Sequence, residues 1–360
     1  MAEPSFPTIE LYVSYRQNLE ATLAEMQVPS TKIEEILAYA DNLQNHGVPI
    51  IFDQPHLAGL LGYELDYVQI LSTCKEDFYK KYMIPKRNGK MRIIHEPMPN
   101  LKEIQTWILD NILMAPGVMK DVSHVVTAFV PHRDIIDNAT PHVGRRTVVC
   151  MDLKDFFTSV RWIQVYAVFA DLGYGKDVSG MLAHLCTLDG VLPQGAPTSP
   201  MLSNLVMRRI DKMIYEHCQD HDITYTRYAD DLTFSSNRRI EYGQLMGYVK
   251  TVMGNAGFSV NEEKTKVFHR NQSQNVTGIV VNDHIQVGRN YRKKIRQEMF
   301  YLQQYGLEGH YPHTHYPYKP QSYLNHLLGK VNHVLHVNGE DKEMLAYKRI
   351  LRERFNAVTE

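Results

Sequence analysis

Several features that would fix the class of a protein are scarce in this chain of 360 residues. There are four cysteines, Cys74, Cys150, Cys186 and Cys218, far apart and with no C-x-x-C spacing. That argues against a zinc ribbon and for a reducing compartment. The N-terminus, MAEPSFPTIE, lacks a basic stretch followed by an apolar run, so no secretory signal is visible. No run of about 18 or more apolar residues occurs, so no membrane span is expected and a cytoplasmic location is. Internal repeats and low-complexity linkers are absent too. Net charge is only −1. That does not exclude nucleic acid, because the distribution of charge matters more than its total.

What is present suits a folded core. The composition, 44% hydrophobic, 22% charged and 10% aromatic, is ample for a core, and the length suggests two or three subdomains. Two basic clusters stand out: Lys80, Lys81, Lys86, Arg87, Lys90 and Arg92, then Arg289, Arg292, Lys293, Lys294 and Arg296. Each reads either as a solvated face or as a nucleic-acid surface.

The hydrophobic pattern organises the chain. Residues 1–75 read as helical, KIEEILAYADNL being the clearest amphipathic stretch. DFYKKYMIPKRNGKMRIIHEP reads as a hairpin with a basic Asn88-Gly89 turn. NLKEIQTWILDNILMA reads as a helix with Asn100 as N-cap. RTVVCMDL is a strand ending in acid, and residues 161–186 are helical with a glycine break. GVLPQGAPTSP is a loop opening a further helix, and helix and short strands follow. From about residue 290 the chain is helical and basic, interrupted at GHYPHTHYPYKP. His310, His313 and His315 in that interruption have no cysteine or acidic companion in the sequence, so no zinc site is expected. Mixed helix and strand around a central antiparallel hairpin indicates an α+β core rather than a doubly wound sheet.

The central hairpin is YTRYADDLTFSS, residues 225–236. Asp-Asp alone is an ordinary turn pair. Here strand-forming residues flank it on both sides, so Asp230 and Asp231 sit at a hairpin tip, where two carboxylates can face one divalent ion. Asp152 is the candidate third carboxylate, because an acid at the end of a buried strand is costly unless it is paired or binds metal. Asp155, and less readily Asp152, can instead be read as an N-cap.

MDLKDFF, LPQGAPTSP and YADD, in this order and at these separations, resemble the palm motifs of reverse transcriptases. DNATPH fits an N-A-x-x-H motif and Val276-Thr277-Gly278 a VTG motif, and both resemble bacterial retron reverse transcriptases. The resemblance covers roughly residues 75–340. It implies a right-hand polymerase: a helical N-terminal segment (1–75), fingers including the N-A-x-x-H region (76–150), a palm (151–284) with a fingers-like helical insertion at about 161–192, and a helical basic thumb (285–360). It implies that Asp152, Asp230 and Asp231 hold two Mg²⁺ ions, for which Mn²⁺ can substitute, with Leu153 among the metal contacts. Tyr228 packs beneath the hairpin near the primer end. The nucleotide-binding set it implies is Lys90 and Arg92 on the fingers hairpin, Phe157 as steric gate, Gln194, and Lys264 toward pyrophosphate. Phe156 shares Phe157's alternative reading as a core aromatic, and Lys266 lies two residues beyond Lys264.

By the same resemblance, Asn138, Ala139, His142, Val276, Thr277 and Gly278 belong to recognition of a structured RNA, with the second basic cluster, Arg289 to Arg296, heading the thumb. His142 has a second reading as a packing histidine. The implied activity is copying of a dedicated non-coding RNA into short DNA, primed from a guanosine 2′-OH and left branched as msDNA. The implied partners are that RNA and its product, dNTPs, a separate effector protein in anti-phage defence, and a host RNase H, since little chain follows residue 340. Group II intron or diversity-generating reverse transcriptases, and an inactive scaffold, are the alternatives.

Overall fold

In the computed structural model, which describes residues 9–73, 75–85, 89, 91–314, 316–317 and 319–359, the N-terminal segment is four helices. They are α1 (Ile9–Glu25), α2 (Ser30–His46), α3 (Gln54–Leu61) and α4 (Leu65–Thr73). On α2 the apolar residues Leu37, Ala40 and Leu43 recur at helical spacing and are buried. Asp53 caps α3 by accepting from the His56 N–H at 2.8 Å, with Pro55 in the first turn.

Strands β1 (Tyr79–Pro85) and β2 (Met91–Pro97) form an antiparallel ribbon, from Tyr79 opposite Pro97 to Pro85 opposite Met91. Helix α5 follows at Pro99–Ile108. Its N-cap is Met98, not Asn100: Pro99, with its preset φ and missing N–H, takes the first helical position. Asn100 instead donates to the Tyr67 hydroxyl at 2.8 Å. The buried Gln105 amide donates to the Tyr79 hydroxyl and to the Leu185 carbonyl, both at 2.8 Å, which fixes the ribbon's root.

Next come α6 (Pro116–Met119), α7 (Ile135–Ala139), β3 (Thr147–Lys154), α8 (Phe156–Ser159), α9 (Trp162–Asp171), α10 (Lys176–Cys186) and α11 (Ser199–Asp220). Then follow β4 (Thr224–Tyr228), β5 (Asp231–Ser236), α12 (Tyr242–Asn255) and β6 (Ser259–His269). The chain ends with the short strands β7 (Asn275–Val276), β8 (Ile279–Val280) and β9 (Gln286–Val287), and helices α13 (Arg289–His310), α14 (Pro320–Val337) and α15 (Lys342–Thr359). The structure is α+β, with antiparallel pairing of β4 to β5 and of β7 through β9.

These elements fall into two compact units that interleave along the chain. One comprises residues 1–131, 152–217 and 243–262; the other comprises 132–151, 218–242 and 263–360. They interleave because the sheet gathers strands from distant stretches of the chain. That sheet has the order β4-β5-β3-β6 and lies mostly in the second unit. The second unit's core joins Ala139 and Val148 to Val276, Ile279, Val281 and Val287 and to the inner faces of the last three helices. On α13 that face is Ile295, Met299 and Leu302; the helix breaks at Gly306, whose φ of 70° and ψ of −179° are not helical. Among the described residues no helix is long and apolar enough to cross a membrane.

Candidate active site

The alternation of burial along β3 decides which of its side chains are available. Thr147, Val149, Met151 and Leu153 are buried on one face; on the other, Val148 is buried too, and Cys150 and Asp152 are half-buried toward the strand's end. Asp152 accepts a hydrogen bond from Asn261 Nδ2 at 3.2 Å. Leu153 points inward, so only its main-chain carbonyl is available to an ion. Asp155 occupies the N-cap position of α8, but its side chain makes no cap bond and its φ is 45°.

β5 is β3's neighbour in the sheet and starts with Asp231. Tyr228 pairs with Asp231, so Ala229 and Asp230 form a two-residue turn. Ala229 holds φ at 56°, a left-handed conformation costly for any residue but glycine. Asp230 and Asp231 are half-buried. The field of Asp231 is felt on β3: burial first, then Asp231, pushes the Cys150 thiol up to about 11, opposed by a hydrogen bond with Thr233 and by Lys266. Lys266 and Lys264 lie two apart on β6, hence on one face, and both are exposed. The Tyr228 hydroxyl is also held up, by burial and then by the charge of Asp134.

Among the described residues no three His, Cys, Asp or Glu side chains form a cluster that could hold a metal by themselves. The donor chemistry nevertheless fits Mg²⁺. That ion takes only one or two carboxylates from the protein, and fills its octahedron with water and substrate phosphate. All the carboxylates named are oxygen donors on partly open positions.

In the first unit, Phe156 is core, its ring tilted against Phe258 with centres 5.8 Å apart, while Phe157 is half-buried with its ring centre 6.2 Å from that of Phe129. The two neighbouring rings are thereby told apart. The loop after α10 is fixed by the Ser199 hydroxyl donating to the Pro193 carbonyl at 2.7 Å and by the His95 N–H donating to the Gln194 carbonyl at 2.8 Å. Gly195 permits that approach: its φ is 126°, and a Cβ there would lie 2.8 Å from the His95 carbonyl oxygen. Arg92 is exposed on β2, and Lys90 lies outside the described residues.

The family model for reverse transcriptase (RNA-dependent DNA polymerase) matches residues 84–285, more than half of the chain. Retron Mx65 reverse transcriptase from Myxococcus xanthus is 32% identical over 349 residues, covering 91% of this chain and 78% of its own. Retron Ec86 reverse transcriptase from Escherichia coli is 31% identical over 263 residues, covering 72% of this chain and 81% of its own. This chain belongs to the retron reverse transcriptases. It is an RNA-directed DNA polymerase, so its template is RNA and its chemistry depends on a divalent metal.

The two motifs typical of retron enzymes lie inside the second unit. Asn138, Ala139 and His142 are fully buried, as is Val276; Thr277 is half-buried and Gly278 exposed. Asn138 Nδ2 donates to the Thr277 hydroxyl at 3.4 Å, which joins N-A-x-x-H to VTG. His142 is a packing histidine: its Nδ1 meets the Ser235 hydroxyl at 2.7 Å and its Nε2 the Thr226 hydroxyl at 2.8 Å. Asp134 caps α7 through the Ile136 N–H at 2.7 Å, and its other oxygen meets His336 Nε2 at 2.6 Å.

The second basic cluster divides. Arg296 makes a bidentate bridge to Glu343 at 2.7–2.9 Å, and Arg292 bridges Asp341, so both hold the start of α15. Arg289, Lys293 and Lys294 are exposed and, among the described residues, make no ion pair. His310 does have an acidic companion, Glu298 at 3.2 Å, with the Tyr323 hydroxyl at 2.9 Å; His315 is outside the described residues. Sequence reasoning also missed Asn261 and the hydroxyls of Thr226 and Ser235, whose positions carry no motif.

Proposed function

We propose that this reverse transcriptase copies part of a cognate structured non-coding RNA into a short single-stranded DNA. Priming is from a guanosine 2′-OH, so the product is a branched RNA–DNA molecule, msDNA. The observation that carries the reading is the relationship to retron enzymes over most of the chain, with Asp230 and Asp231 at the tip of the β4–β5 hairpin.

In each addition the primer hydroxyl oxygen bonds to the α-phosphorus of a dNTP as the bond to pyrophosphate breaks. Asp152, Asp230 and Asp231, with the Leu153 carbonyl, would hold two Mg²⁺ ions. Those ions, when bound, activate the hydroxyl and stabilise the leaving pyrophosphate. Lys264, with Lys266 on the same face of β6, supplies positive charge to the departing phosphates, and Lys90 and Arg92 do so from the β1–β2 ribbon. Gln194 contacts the incoming nucleotide from a loop whose carbonyl is pinned to β2. Phe157 occupies the space a ribose 2′-OH would need. Arg289, Lys293 and Lys294 take RNA phosphates, since Arg292 and Arg296 are occupied within the thumb. The product works in anti-phage defence with a separate effector protein, and a host RNase H removes the copied template.

The test is the nucleic acid that co-purifies when the protein is expressed with its flanking DNA, treated with RNase or a 2′-5′ debranching enzyme and sequenced. A discrete short DNA that changes size on debranching is expected, and Asp230→Asn should abolish it. Linear cDNA would refute retron-type priming. RNA without DNA would refute the polymerase assignment in favour of a scaffold.

A further inference from the structure

The buried imidazole of His142 spans the catalytic hairpin in a way that an RNA-recognition role does not explain. In the register of β4 and β5, Thr226 faces Thr233 and Thr224 faces Ser235. Thr226 and Ser235 are therefore a diagonal pair, one on each strand, about 7–8 Å apart in backbone. The imidazole bridges that diagonal, with one ring nitrogen on each hydroxyl. The Thr226 hydroxyl also reaches the Asn138 carbonyl at 3.4 Å, and the Asn138 amide reaches Thr277 at 3.4 Å. His142, Asn138 and Ser235 have no solvent exposure, and Thr226 has 6%.

We propose that His142 is a positioning residue that holds β4 against β5 in the register their two-residue turn sets, and so steadies where Asp230 and Asp231 stand. This rests on the polymerase reading of those two carboxylates. A slip of β4 by one residue would turn that strand's side chains to the other face. Thr226 would then face away from the ring while Ser235 on β5 would not, and the imidazole Nε2 and the Thr226 hydroxyl, both buried, would lose each other. Thr226 is only two residues from Tyr228, where the strained Ala229-Asp230 turn begins. A misregister at Thr226 would therefore arrive undamped at the carboxylates. Burial first, then Arg145, lowers the His142 pKa to about 3, so the ring is neutral and presents one donor and one acceptor to two hydroxyls that can each play either part.

The role of N-A-x-x-H and VTG follows from the same network. Among the described residues they share one network behind the hairpin, in which the buried Asn138 meets the half-buried Thr277, while Gly278 is exposed.

The experiment measures two quantities on the full-length protein: affinity for its co-purified RNA, and the single-turnover rate of first-nucleotide addition at saturating RNA and dNTP. His142→Ala should slow addition on the order of 10- to 100-fold, the scale of a misplacement near 1 Å, while RNA affinity stays within about 2-fold. His142→Gln, which keeps a donor and an acceptor, should recover part of the rate. Thr226→Val and Ser235→Ala each remove one bond and should slow addition in the same sense, which decides the matter if His142→Ala does not fold. Weakened RNA binding with an unchanged rate in the bound complex would overturn the proposal, as would unchanged rates in all four variants. Asp230→Asn is the control: if it is inactive while the His142 variants are normal, the positioning role alone fails. If Asp230→Asn still makes DNA, the polymerase assignment of these carboxylates fails and the positioning role with it.

Discussion

Replacing Gly195 with alanine would place a methyl carbon 2.8 Å from the His95 carbonyl oxygen and 2.9 Å from Ile94 Cγ2. Neither neighbour moves freely, because His95 is paired with Lys81 across the β1–β2 ribbon. The backbone angle, φ 126°, is itself outside the range that L-residues adopt, at a cost of roughly 1–3 kcal/mol. Relief of the clash would push the loop off β2 and break the bond from the His95 N–H to the Gln194 carbonyl, a further loss of about 1 kcal/mol. The sum, about 2–4 kcal/mol, falls on the ordering of one loop. A nucleotide that needs Gln194 in place must then supply that ordering energy on binding, and about 2 kcal/mol corresponds to roughly 30-fold in affinity. Steady-state primer extension should therefore show the KM for dNTP raised about 30-fold or more in Gly195→Ala. A KM within about 2-fold of the parent would refute the argument, since the loop would then not be what positions the nucleotide.

The two adjacent phenylalanines should part company. Phe157→Ala should admit ribonucleotides, seen as a drop of at least about 10-fold in the dNTP-over-rNTP ratio of kcat/KM, which is about 1.4 kcal/mol of barrier difference. Phe156→Ala should instead destabilise by about 3–5 kcal/mol, seen as a lowered urea midpoint. In RNA binding, Lys293→Ala and Lys294→Ala should each flatten the plot of log K against log salt by about 0.7, whereas Arg296→Ala should leave its slope unchanged. The Glu343 carboxyl is held below its usual 4.5, first by the hydrogen bond from Arg296. A lowered folded pKa means that this stabilisation is complete above 4.5 and is lost as pH falls through the lowered value. Hydrogen exchange in α15 should rise, after correction for intrinsic rates, as pH drops below about 4.5, and Glu343→Gln should remove that acid-side change.

Much of the fold could be read from local pattern. The alternation around YADD, the Asn88-Gly89 turn signal between two strand-like runs, and the spacing of Leu37, Ala40 and Leu43 are properties of neighbouring residues, and they led to the right elements. The start of α5 was misjudged because two capping rules compete there, and Pro99 prevails over Asn100. What pattern cannot supply is the partner of a side chain. Arg292 and Arg296 look like the rest of their cluster until Asp341 and Glu343, nearly fifty residues on, meet them. His142 follows a proline in a polar stretch, and nothing local distinguishes a surface ring from one with both nitrogens sealed. The interleaving of the two units is hidden for the same reason, being a property of which distant strands pair.

The brace at His142 also has a history in time. The ring and the Ser235 hydroxyl are separated by 93 residues of chain. At roughly 5–20 residues per second of synthesis, the histidine leaves the ribosome on the order of 5–20 s before its last partner does. For that interval β3 and the N-A-x-x-H helix have no hairpin to close on, and a polar ring destined for a dry site has only water to bond. A nascent chain of this protein must therefore hold open the part of its sheet that will carry the chemistry, and the order of translation leaves the active-site register among the later things to be decided.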